Sequence, residues 1–224
     1  EIVSLDGSFH GRTLGTLAAT GQPGLQRGFE PLPEGFKTVP PGDVCALRDA
    51  VTDTTAAVLI EMVQGEGGVR PLDPDYVNDL MALVKERDVL LIVDEIQTGM
   101  GRTGAFWAHQ RYNLKPDIFT CAKALANGLP MGAMLATDDA ARGFQPGAHA
   151  TTFGGGPVVS AAALKVLDIM EQENLVQRSR EIGEMAVNEF KKLILSHPGK
   201  ILHVRGMGLM LGIELNFPGQ DVHK

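Results

Sequence analysis

Three apolar runs, at 56–63, 89–94 and 118–122, are rich in Val, Ile and Leu and show no alternation with polar residues. A strand with one wet face alternates, so unbroken runs predict strands buried on both faces, and hence a parallel sheet. Between the first two runs, Asp73-Pro74-Asp75 leads into Tyr76, Val77, Leu80, Leu83 and Val84. A capping Asp, a Pro in the first turn and apolar steps of three and four predict a helix. Strand, helix, strand is a βαβ unit.

The opening Glu1-Ile-Val-Ser-Leu5 also reads as a strand, and Met131 to Thr137 as another after the turn at Asn127-Gly128. Pro157 opens a helix through Glu171 that is apolar nearly all round, which predicts burial. From Leu175 to about Leu195 only Ile182, Ala186, Phe190 and Leu193 line up as one stripe among Glu, Arg and Lys, so this helix belongs on the surface. After His197-Pro-Gly199 strands return, Lys200 to Val204 and Gly208 to Leu215. The expected division is a large domain over residues 1–173, then a linker helix and the start of a small C-terminal domain over 174–224. The chain opens inside a strand without an initiator methionine and stops soon after another, as expected of a segment of something longer.

Composition narrows the function classes. Twenty Lys and Arg stand against 27 Asp and Glu, and a net charge of −7 provides no basic field for a nucleic acid. No apolar run approaches the ~20 residues that span a bilayer. Glu1 to His10 lack the charged-then-apolar layout of a secretory signal, so a cytoplasmic address is expected, with no membrane partner. Cys45 and Cys121 have no metal-binding or redox spacing and are expected to pack as small apolar side chains. No metal is expected.

In open parallel sheets ligands bind beyond the carboxyl ends of the strands. Glu61, with Gln64 and Glu66, closes the first run; Asp94 and Glu95 close the second; Lys123 follows the third. A lysine and a carboxylate at adjacent strand ends suit pyridoxal phosphate chemistry. The amine forms a Schiff base with the aldehyde, and the carboxylate keeps the pyridine nitrogen protonated. The same lysine can then shuttle a proton as general acid and base. Spacing alone equally allows a plain ion pair between Asp94 and Lys123 at the sheet edge.

The motifs around these residues resemble the class III aminotransferases, pyridoxal-phosphate enzymes of fold type I. The segment Leu91-Ile-Val-Asp94-Glu95-Ile-Gln97-Thr-Gly-Met-Gly-Arg-Thr-Gly104 is similar to their cofactor segment. Blocks in matching order are Ser8-Phe-His-Gly-Arg-Thr-Leu14, Gln64-Gly-Glu-Gly-Gly68, Ala122-Lys-Ala-Leu125, Thr151-Thr-Phe-Gly-Gly155 and Val204-Arg-Gly-Met-Gly-Leu-Met210. The resemblance implies a mostly parallel central sheet flanked by helices. It also implies that Lys123 is the Schiff-base lysine, Asp94 the partner of the ring nitrogen, Gln97 that of the ring hydroxyl, and Phe9 the residue stacked on the ring. Thr152 matches the residue that reaches the cofactor phosphate of a neighbouring subunit, implying a homodimer with a shared active site. Arg12 matches the holder of the substrate carboxylate, a task suited to a bidentate guanidinium. Glu66 matches a substrate-side glutamate, and Thr151 falls on the same side.

His10 and the run Ala18-Ala-Thr-Gly-Gln-Pro23 are most similar to the acetylornithine aminotransferases within the family. These move an amino group between N-acetylornithine and 2-oxoglutarate in arginine biosynthesis; ornithine, succinylornithine and 4-aminobutyrate are the alternative substrates. The sequence also departs from the family pattern. The family's upstream phosphate-cradling loop and its C-terminal part are missing, as is a partner arginine for Glu66; Gly156 replaces the usual Asn, and Met62 the usual Pro. Two rival readings are weaker. Gly99-Met-Gly101-Arg-Thr-Gly104 is a literal GxGxxG, but it neither directly follows a strand nor opens a full helix, as a dinucleotide site requires. A non-catalytic dimerisation module is disfavoured by the presence of Lys123.

Overall fold

The computed structural model describes residues 1–219. In chain order the elements are β1 (Ile2–Leu5), α1 (Leu14–Ala19), α2 (Pro23–Gln26), β2 (Phe36–Val39), α3 (Val44–Ala50), β3 (Ala57–Ile60), β4 (Val63–Gln64) and β5 (Arg70–Pro71). There follow α4 (Pro74–Arg87), β6 (Leu90–Asp94), β7 (Ile118–Cys121), β8 (Ala133–Ala136), α5 (Asp138–Ala141), α6 (Pro157–Gln172), α7 (Leu175–Ser196), β9 (Ile201–Met207) and β10 (Met210–Leu215). Single 3-10 turns cover Ala108–Tyr112 and Lys123–Ala126.

A six-stranded sheet runs in the order β2-β1-β3-β6-β7-β8. Its first five strands are parallel, and only β8 runs antiparallel, against β7. Unbroken apolar runs fit this layout because both faces are covered: Val58, Ile60, Leu91 and Val93 are buried on one face, while on the other Ala57 is buried and Leu59, Leu90 and Ile92 are half-buried. The βαβ unit is as expected. Asp73 caps α4 by accepting from the backbone N–H groups of Asp75 and Tyr76, and Val77, Leu80 and Leu83 are fully buried beneath it.

Several expectations are corrected. The run 56–63 is not one strand: β3 stops at Ile60, and Val63–Gln64 pairs instead with Arg70–Pro71 in a small hairpin. The break coincides with Glu61, whose carboxylate turns in to receive the backbone N–H of Phe9. Helix α6 is not buried all round in this chain. Ala163 and Met170 are covered, but Val158 is 72% and Leu164 65% exposed. Part of its apolar circumference therefore faces outward without a cover among the described residues. Cys121 is buried as expected, whereas Cys45 is exposed on α3. Helix α7 is a surface helix as expected, but its stripe is only partly covered: Ile182, Ala186 and Phe190 are half-buried, Leu193 is exposed, and the residues buried on this helix are Ser179 and Gly183. Strands β9 and β10 form their own antiparallel pair. Among the described residues no helix is long and apolar enough to cross a membrane.

The strand order sets the position of a site. The chain leaves β1 towards β2 on one side of the sheet and leaves β3 towards β6 on the other. The loops after β1 and β3 therefore part, and the crevice between them lies beyond the carboxyl ends of the strands. Two hydrogen bonds close its floor: Phe9 N–H donates to Glu61 Oε2 at 2.9 Å, and Gln64 Nε2 donates to the Asp6 carbonyl at 2.9 Å.

Candidate active site

Adjacent parallel strands bring the expected groups together. Residues 9–12 follow β1, Glu61 follows β3, Asp94 ends β6 and Lys123 follows β7. Asp94 is 7% exposed, and its carboxylate is held from three directions. His10 Nδ1 lies 2.9 Å from Oδ2, while Oδ1 accepts from the Ile96 N–H and the Thr120 hydroxyl, each at 3.1 Å. A carboxylate offers about four lone-pair sites, so one remains for a further donor. His10 is also buried, and with Nδ1–H turned to Asp94 its Nε2 is an acceptor without a partner. A buried polar atom left unpaired costs free energy and marks a place where a partner is missing.

Lys123 differs from the groups around it. It is exposed, and among the described residues its amine has neither a hydrogen-bond nor an ion-pair partner. The simple Asp94–Lys123 ion pair is therefore absent, because His10 takes the position beside Asp94. The backbone of Lys123 is left-handed, φ 48°, a region costly for a residue with a Cβ. Strain of this kind, of order 1–3 kcal/mol, persists where the surroundings impose it and clusters at functional positions. Here it holds the lysine just past the strand end, at the first position of a tight turn.

The other expected residues separate into two groups. Phe9 is half-buried, with the Arg12 guanidinium carbon 5.7 Å from its ring centroid. Gln97 is half-buried in the loop after β6, and its Oε1 lies 2.6 Å from where a Cβ on Gly65 would stand. These lie with Asp94 around the crevice. Glu66, Thr151 and Thr152 are exposed, and no side-chain hydrogen bond joins them to that cluster.

Two groups carry more weight than their sequence setting suggests. Burial pushes the Glu61 carboxyl from its ordinary 4.5 up to about 7, against the opposing pull of the Phe9 N–H and of nearby His10. Glu95, the neighbour of Asp94, is 1% exposed and held by three protein donors: His109 N–H and Nδ1 on Oε1, and the Thr98 hydroxyl on Oε2. It pins the 95–109 loop and is thereby used structurally. In the same loop a Cβ on Gly99 would stand 2.7 Å from the Trp107 ring, so this glycine serves internal packing, not a nucleotide.

A buried acid with one free acceptor site, an unpaired imidazole nitrogen and a strained, unpartnered lysine on neighbouring strand ends match the chemistry that the motifs imply. The family description Aminotransferase class-III matches residues 1–223. The chain belongs to this family. Among curated relatives, acetylornithine aminotransferase 1 of Bordetella bronchiseptica is 49% identical over 220 residues, covering 97% of this chain and 56% of the relative. Acetylornithine aminotransferase of Methanocaldococcus jannaschii is 46% identical over 224 residues, covering 100% and 56%. An ornithine aminotransferase structure from Toxoplasma gondii, described as having partial occupancy of PLP at its active site, superposes with a TM-score of 0.92 at 32% identity, over 96% of this chain and 51% of that one. The class III sheet order and flanking helices are those of fold type I. This class III chain spans just over half the length of the curated relatives it matches.

Proposed function

We propose that this chain carries the lysine half of the active site of a pyridoxal-phosphate-dependent aminotransferase acting on N-acetylornithine and 2-oxoglutarate, within arginine biosynthesis. The observation that carries the proposal is the juxtaposition of the unpartnered Lys123 with the His10-held carboxylate of Asp94 at neighbouring strand ends. The choice of acetylated substrate is supported by relatives named acetylornithine aminotransferase at 46–49% identity. Ornithine is the second reading, favoured by the Toxoplasma structure.

The residues fit the cofactor. Asp94 has an acceptor site to spare, and His10 backs it in a buried setting where the carboxylate meets little water. When bound, pyridoxal phosphate supplies an aldehyde that captures amines and a ring that takes up electrons from the carbon bearing the amino group. Lys123 would hold the aldehyde through its amine. Once released by substrate, that amine would carry a proton between carbon atoms as base and then acid. Asp94 would keep a proton on the ring nitrogen, and His10 would keep Asp94 oriented. Gln97 would donate to the ring hydroxyl, and Phe9 would lie against the ring face. Arg12 would take the substrate carboxylate, with Glu66 and Thr151 on the substrate side.

A homodimer with a shared site is part of the proposal, Thr152 reaching the phosphate held by the partner. It is supported by the exposed apolar side chains that flank this threonine: Phe153 is 87% exposed and Val158 72%. Residues 1–173 are read as the large domain, and 174–224 as a linker helix and the start of a small one. Exchange of Lys123→Ala in the holoenzyme is expected to lower transamination of N-acetylornithine by at least 1,000-fold, of the order lost when a covalent catalytic group is removed. Turnover within tenfold of the unsubstituted enzyme would refute the assignment.

A further inference from the structure

Loop 64–69 is held from three sides. Gln64 Nε2 donates to the Asp6 carbonyl at 2.9 Å, and a Cβ on Gly67 would stand 2.8 Å from the Gly7 carbonyl oxygen, so one flank lies on the end of β1. The β9–β10 hairpin covers another. Arg205 Nε donates to the Gly68 carbonyl at 3.0 Å, and a Cβ on Gly212 would stand 3.0 Å from Val69 Cβ. The tip of that hairpin is itself fixed, with Leu209 N–H donating to the Arg102 carbonyl at 2.9 Å.

At Gly65 the third side and the hairpin meet. A Cβ there would stand 2.6 Å from Gln97 Oε1 and 2.9 Å from Met210 Cε, both inside the distance that real Cβ contacts respect. Gly65 is therefore demanded by close approach. The Gln97 amide and the Met210 methyl both crowd the space that a side chain of residue 65 would fill, on the same side of the backbone. Gln97 makes no side-chain hydrogen bond among the described residues, so packing alone sets where its amide points. A flexible thioether suits the filling of such a gap.

We propose that Met210 is a positioning residue for Gln97, the two sharing the space left open by the missing side chain of Gly65, so that the β9–β10 hairpin sets the amide that meets the cofactor's ring hydroxyl. The proposal rests on the cofactor reading given above. It assigns to the hairpin a part in cofactor binding although none of its residues need touch the cofactor.

A double-mutant cycle on pyridoxal phosphate affinity tests it, read by spectral titration of the full chain and checked for folding by circular dichroism. Met210→Ala is expected to weaken binding about five- to tenfold, and Met210→Leu to restore it to within about twofold. In a Gln97→Ala background Met210→Ala should add less than about twofold, because its effect travels through the amide. Gly65→Ala provides the second arm: harmful alone, and tolerated once Gln97→Ala has removed the amide it strikes, since the flexible end of Met210, its other close neighbour, can swing aside. The pH midpoint of the bound cofactor's visible band should move in the same direction for Met210→Ala and Gln97→Ala. Additive losses, or a Met210→Ala chain that is folded and binds normally, would overturn the proposal while leaving the cofactor reading intact. If Gln97→Ala alone changes neither affinity nor the band, the reading of Gln97 itself fails, and this proposal with it.

Discussion

Glu61 shows how far one side chain's setting can depart from its sequence appearance. In the sequence it is one of three polar residues closing an apolar run; in the structure it is the buried acid that fixes the backbone of Phe9. Its carboxyl is raised by burial to about 7, so between the ordinary value of 4.5 and about 7 the folded chain binds a proton that the unfolded chain has released. Stability from this group is therefore full below 4.5 and falls as pH rises to about 7, by an amount on the order of 3 kcal/mol at most. Glu61→Gln should flatten that slope. Urea unfolding of both forms at pH 5 and pH 8 checks it: equal pH dependence in the two would show that Glu61 does not titrate in this window. At the same scale the placement of Asp94 and Lys123 at neighbouring strand ends was legible in the sequence, because each stands at the end of an apolar run. His10 was a weak signal there, since nothing local in a sequence reveals that an imidazole will meet a carboxylate 84 residues away.

Among the elements, α4 was the most legible, because its cap, its first-turn Pro and its apolar spacing all agree. Asp73→Ala should cost about 1 kcal/mol through the lost cap, and Leu80→Ala about 2–5 kcal/mol through a cavity beneath the same helix. Chemical denaturation ranks the two; a larger loss at the cap than in the core would contradict the packing described here. Strand β2 and helices α1 and α3 went unread. They are four to seven residues long, too short for a periodicity to declare itself, and they exist because β1 supplies a parallel neighbour and a face to cover. Helix α6 was read correctly as apolar all round, but periodicity reports what a helix must bury and not which molecule buries it. Likewise the run 56–63 looked continuous because Met62 and Val63 are buried, although in a separate hairpin.

For the whole molecule, the exposed apolar surface of α6 and the stretch before it is the feature that most calls for a partner. Phe153, Val158 and Leu164 are exposed apolar side chains of the kind that an interaction surface covers. Under the proposed homodimer, sedimentation should show a dimer, and Leu164→Glu should shift it towards monomer by placing a charge in the interface. A monomeric unsubstituted chain would contradict that assembly. The central claim concerns Lys123, and it is tested most directly by reducing the chain with borohydride in the presence of pyridoxal phosphate and mapping the fixed label by peptide mass. The account expects the label on Lys123, which follows the strand next to that of Asp94. Label spread over surface lysines such as Lys85 and Lys165, with Lys123 unmodified, would contradict it.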